Sequence, residues 1–107
     1  MNLIIFGGRL TDDPTILGSS SGCRFDVASN RRYKKDDEVN EETTYMSITC
    51  WGKLSEIVMR NCRKGDPVLV EGRIEVRKTK DADGNSRKYT NIIAKDVRFL
   101  SGRRNEV

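Results

Sequence analysis

The chain has 107 residues, enough for one domain and no more. With 36% hydrophobic and 34% charged residues its core is thin, and a domain this small commonly finds further buried surface by oligomerising. The net charge of +4 suits a polyanionic partner without demanding one, and the lack of any histidine removes the commonest general base and metal ligand.

The N-terminus, MNLIIFGGRL, has no basic segment ahead of its apolar run and is too short for a signal peptide. No apolar run approaches the roughly 18 residues of a membrane span. A cytoplasmic, nucleoid-associated location with no membrane partner is expected. Residues 3–10 read as a strand with Leu3 and Ile5 on one face and Ile4 and Phe6 on the other. Being apolar on both parities, it is expected to be covered on both sides, one cover coming from another subunit. Gly7 and Gly8 mark a bulge or sharp bend. Pro, Gly and Ser make residues 12–22 a loop.

Residues 23–30 alternate, with Cys23, Phe25 and Val27 facing one way and Arg24, Asp26 and Ala28 the other. RRYKKDDEVNEE, residues 31–42, is expected as a charged connection with a turn in its middle. The third strand, 43–51, sets Met46, Ile48 and Cys50 against Tyr45, Ser47, Thr49 and Trp51. Helical period over 53–65 places Leu54, Ile57, Val58 and Cys62 on one face. Glu56 early, Arg63 and Lys64 late, and Gly65 beyond them supply the charge order and stop signal of a helix. The fourth strand, 67–78, alternates Val68, Val70, Ile74 and Val76 against Leu69, Glu71, Arg73, Glu75 and Arg77, with Gly72 at a tight bend. Residues 79–88 form a polar hairpin loop. Its DADGN lacks the third acidic position and distal Glu of a calcium loop, so it reads as a turn. The last strand spans 89–100.

Three strands, a helix and two strands, with glycines at bends, describe an all-β fold. It is a five-stranded Greek-key barrel of the oligonucleotide/oligosaccharide-binding kind (OB-fold), with one α-helix between strands 3 and 4. SH3-like barrels have a similar strand number but usually lack a full helix there. The domain is expected over 1–101, with 102–107 a short disordered tail. Cys23, Cys50 and Cys62 are odd in number and lack CxxC spacing. They read as small buried residues in a reducing compartment, not as a disulfide framework or zinc site.

Tyr45 and Trp51 stand on the more polar face of their strand, about 20 Å apart at the usual rise per residue. Cations surround them: Arg31, Arg32, Lys34 and Lys35 around Tyr33; Lys53 after Trp51; Arg77, Lys78, Lys80, Arg87 and Lys88 near the second hairpin. Cations track a phosphate backbone and aromatic faces stack on bases, which requires unpaired bases. Each cluster by itself also fits a merely solvated surface, and DDEVNEE lies close enough to RRYKK to neutralise part of it. The set as a whole carries the inference.

Several segments resemble the bacterial single-stranded DNA-binding protein family: NLIIFGGRLTDDP, RFDVASNRRYK, EETTYMSITCWGKLSEI, RKGDPVLVEGRIEVRK and DGNSRKYTNIIAKDVRFL. The resemblance runs from Asn2 to Leu100. It implies an OB-fold protomer, usually in a homotetramer built as a dimer of dimers, that binds single-stranded DNA in replication, recombination and repair without catalysis or cofactor. It places stacking on Tyr33, Tyr45 and Trp51, and phosphate contacts on Lys53, Lys64, Arg77, Lys78 and Lys88. It assigns Asn2, Leu3, Ile4, Ile5 and Phe6 to the oligomer interface. Two departures stand out. Thr79 occupies a position where the family often has another stacking aromatic, and the chain ends in RRNEV where the family continues into an acidic, partner-recruiting tail. Recruitment through a tail is therefore not expected. The alternative reading is a tailless primosomal or adaptor-type OB protein that mainly docks replication proteins.

Overall fold

The computed structural model describes residues 1–18 and 21–100. Its elements run β1 (Ile4–Leu10), β2 (Thr15–Ile16), β3 (Gly22–Lys35), β4 (Glu38–Trp51), α1 (Gly52–Asn61), β5 (Pro67–Lys80) and β6 (Ser86–Phe99). The strands lie in the order β1-β5-β6-β4-β3-β2, and a further β1–β3 pairing closes the five long strands into a barrel. The expected all-β barrel, with its helix between the third and fourth long strands, is the observed fold.

β1 closes the ring because it serves two neighbours. Ile4 to Arg9 pair with β5, and Arg9 and Leu10 pair with β3. This crossing brings two backbones together at Gly8, where a Cβ would lie 2.2 Å from the carbonyl oxygen of Ala28. The glycine is needed for close approach. Gly72 behaves as expected of a barrel corner: the β5–β6 register shifts between Glu71 and Gly72, and a Cβ there would meet the Ile93 oxygen at 2.2 Å.

Inside, Val27, Ile48, Val58, Val68, Val70 and Ile92 are fully buried. All but Val58 come from alternating positions of the strands, as a half-buried sheet requires. Helix α1 adds Val58, with Leu54 and Met59 packed against the same cluster and Cys62 buried just past its end. Ile57, expected on this face, is instead 39% exposed, and Ser55 is buried. At about 100° per residue the stripe that meets the barrel is 54–55, 58–59 and 62. Residue 57 lies at its rim.

Three segments expected as loops hold sheet. The 12–22 loop carries β2, paired with Cys23 and Arg24, and Gly22 opens β3. Residues 31–42 continue β3 and β4 without a break, from Arg31↔Glu42 to Lys35↔Glu38. Only Asp36 and Asp37 turn, with φ of 54° and 64°. Two successive positive φ values give the turn whose twist matches a hairpin, and Asp tolerates them better than most residues. The 79–88 loop likewise shrinks to 81–85. There the Asp81 carboxylate accepts the backbone N–H groups of Asp83 and Asn85. Both hairpins project past the barrel, so neither face is buried and the alternation that marks a strand fades. The tail expected at 102–107 lies outside the described residues. Among the described residues no helix is long and apolar enough to cross a membrane.

Candidate nucleic-acid interface

The outer face of the barrel is built by register. On β3 and β4 the facing pairs are Gly22↔Trp51, Arg24↔Thr49, Asp26↔Ser47 and Ala28↔Tyr45. The parallel β4–β6 ladder adds Asn91 beside Ser47 and Ile93 beside Thr49. Across β6, Tyr89 pairs with Arg77 of β5. Trp51, Arg24, Ser47, Thr49, Asn91, Tyr89, Arg77 and Thr79 line one groove of about 450 Å3. Trp51 and Tyr45 are 46% and 67% exposed, so both keep a ring face toward solvent.

The groove's polar groups are held in place. Arg24 donates to Ser47 Oγ at 3.1 Å, and Ser47 donates to an Asp26 carboxylate oxygen at 2.7 Å. Asn91 Nδ2 donates to Thr49 Oγ1 at 2.9 Å. Arg77 pairs with Glu75 at 2.9 Å, an exposed contact that a phosphate can replace at small cost. An aromatic platform and two guanidinium groups along an open groove can hold stacked bases and a phosphate chain together.

The profile of the Single-strand binding protein family matches residues 1–100. The chain belongs to this family. It is similar to single-stranded DNA-binding protein 1 of Clostridium acetobutylicum, at 36% identity over the full length of both chains. Among solved structures it resembles the small single-stranded DNA-binding protein from Streptomyces coelicolor. That match has a TM-score of 0.77 and 25% identity, covering 94% of this chain and 95% of the other. The Plasmodium falciparum protein in its complex with single-stranded DNA shares the fold, at a TM-score of 0.80 and 24% identity. The match covers 94% of this chain and 96% of that one.

Against this family fold the expected site residues divide into groups. Tyr45 and Trp51 share the outer face. Tyr33 pairs with Asn40 on the opposite parity of the hairpin, and its ring lies under the Arg31 guanidinium at 5.3 Å. The structure therefore does not bring Tyr33 to the side that Tyr45 and Trp51 occupy. Arg31, Arg32 and Lys35 each face a glutamate across the ladder, Glu42, Glu41 and Glu38. Lys34 faces Val39 on the Tyr45 side. Lys53 stands exposed in the first turn of α1, next to Trp51. Lys64 lies on the α1–β5 connection, where its backbone N–H is tied to Asp13 at 2.7 Å, and it does not line the groove.

On the second hairpin Arg77 and Arg87 share the groove's parity, whereas Lys78, Lys80 and Lys88 point to the other side. Arg87 lies 3.7 Å from Asp81. Lys78 and Lys88 are direct register partners. Like charges in that arrangement repel, which an anion would relieve. Sequence reasoning missed Arg24, Tyr89, Asn91 and the glycine beneath Trp51. Arg24 had been visible as an outward residue, but nothing in the linear order placed it beside Trp51.

The expected interface segment also divides. Asn2 bridges within its own chain, donating to the Ile74 oxygen at 2.7 Å and accepting the Ile74 N–H at 2.9 Å. Ile4 and Phe6 pack on the barrel's own core. Leu3 and Ile5 remain 60% and 62% exposed on the other face.

All three cysteines are buried. Cys23 and Cys50 are cross-strand partners directly below the Gly22–Trp51 pair. The hydrogen bond from Cys50 brings the Cys23 thiol down to about 7, and the same bond, with burial, drives the Cys50 thiol up.

Proposed function

We propose that this chain binds single-stranded DNA without strong sequence preference, stacking bases on Tyr45 and Trp51 while Arg24, Arg77 and neighbouring cations hold phosphates. The observation that carries this reading is the groove itself, with a half-exposed indole at one end and guanidinium groups along its walls. The relatives named above support it. Such binding protects exposed strands during replication, recombination or repair, and it requires neither cofactor nor catalysis. The exposed Leu3 and Ile5 support assembly through β1 into dimers and then a dimer of dimers, in the cytoplasm where the chromosome lies.

Titration with oligo-dT, followed by the emission of the single tryptophan, tests the reading. Quenching that weakens as salt rises is expected, because phosphate contacts release counterions. Unchanged emission with no binding at low salt would overturn it.

A further inference from the structure

We infer that Tyr89 is a stacking platform for a separate base, the β6 counterpart of Tyr45. The inference rests on the single-stranded DNA reading and extends it to a residue that sequence patterning leaves as an ordinary strand aromatic.

Three observations carry it. The β4–β6 ladder begins at Ser47↔Asn91, and Tyr45 and Tyr89 each stand two residues before that pair. They lie on the same outer face, one on each hairpin, where the two hairpins part. Tyr89 is 53% exposed, close to the exposure of Trp51 and Tyr45, so its ring is not spent on the core. It lines the groove with Arg77, its register partner, and Thr79, its diagonal neighbour, whose small side chain does not cover it.

Trp51 lies two residues after Thr49, while Tyr89 lies four before Ile93, the partner of Thr49. The two rings are thus offset by about six residues, on the order of 20 Å along the strands. They cannot grip one base. They mark the ends of a track several nucleotides long, with Arg24 and Arg77 beside it. A polyanion carrying flat, unpaired bases is the ligand this alternation of ring and cation fits.

The test uses the full chain. Tyr89→Ala should weaken oligo-dT binding about tenfold, within the range for loss of one stacked base, while Tyr89→Phe stays within about twofold of the parent. Against an oligomer of the same length without bases, Tyr89→Ala should match the parent. Combined with Trp51→Ala, its effect should add, since sites this far apart act independently. If the parent binds oligo-dT and Tyr89→Ala binds equally well, the inference fails and the function stands. If the parent does not bind, the function itself fails. A Tyr89→Ala protein with altered mass by light scattering and unchanged affinity would assign the ring to a subunit contact and overturn the inference. Circular dichroism on each variant separates these outcomes from misfolding, and the Tyr89→Phe comparison decides the matter should the alanine variant be unstable.

Discussion

The indole of Trp51 occupies the space that a side chain on Gly22 would need. The two are register partners on β3 and β4, and a Cβ built on Gly22 would sit 2.5 Å from two carbons of the ring. The platform is therefore held from below by a bare backbone. Gly22→Ala should push the ring outward, since overpacking of this kind typically costs about 1–3 kcal/mol. We expect a several-fold weaker affinity for oligo-dT and a red-shifted tryptophan emission in the free protein. Emission and affinity both matching the parent would show that the contact does not set the ring's position.

The three expected stacking residues should not contribute equally. Trp51→Ala and Tyr45→Ala should each cost about 1–3 kcal/mol of binding, the usual value of one stacked base. Tyr33→Ala should cost less, because register turns its ring to the other side of the hairpin, where Arg31 already covers it. Parallel titrations of the three variants check the order. A Tyr33→Ala loss as large as that of Trp51→Ala would mean that DNA wraps both faces of the β3–β4 hairpin.

Lys78 and Lys88 face each other across β5 and β6. A sheet gains from opposite charges at such positions and loses from like ones. Lys88→Gln should raise the thermal stability of the free protein slightly. Because Lys88 points away from the groove, the change should weaken DNA binding only insofar as the strand also runs along the far side of this hairpin. Removing one phosphate contact should lower the slope of log affinity against log salt by about 1. An unchanged slope would remove Lys88 from the phosphate set.

The barrel was legible in the sequence wherever one strand face is buried. Cys23, Phe25 and Val27 against Arg24, Asp26 and Ala28 gave both the strand and its orientation. So did the alternation across Met46–Trp51, and Gly72 announced its corner. The hairpin arms were not legible, because Arg31–Lys35 and Thr79–Lys80 bury neither face and are paired through backbone alone. Ile57 misled for a related reason: helical period marks a stripe but not its centre. The site was half legible. An aromatic on a polar face could be seen in one strand, but the groove exists only once β4, β6 and β5 lie side by side, which is a long-range fact. Tyr89 needed that arrangement before it stood out.

The cysteines give a test of the core beneath the platform. Cys23, Cys50 and Cys62 are each 0% exposed. The lowered Cys23 thiol, at about 7, supplies thiolate at about pH 8, so protonation does not protect it. Burial alone does. Iodoacetamide at that pH should leave the native protein unlabelled by mass spectrometry and add three groups after denaturation. Rapid labelling of a native cysteine would show that the β3–β4 pairing opens near Trp51.

Within one protomer Leu3 and Ile5 stay mostly exposed, while Ile4 and Phe6 pack on the barrel core. A strand whose outward residues are apolar, and whose Ile4–Gly8 stretch pairs with β5 alone, offers both a side-chain face and a free backbone edge. Ile5→Glu removes no contact that the chain makes with its own core, so the barrel should keep its circular dichroism and most of its melting temperature. A charge in a buried interface between copies is another matter, because it stays unpaired and desolvated. We expect light scattering to report a smaller assembly for Ile5→Glu than for the parent at the same concentration. Phe6→Ala should instead lower the melting temperature, since its ring packs inward. Equal masses for parent and Ile5→Glu would show that copies do not meet through this face of β1.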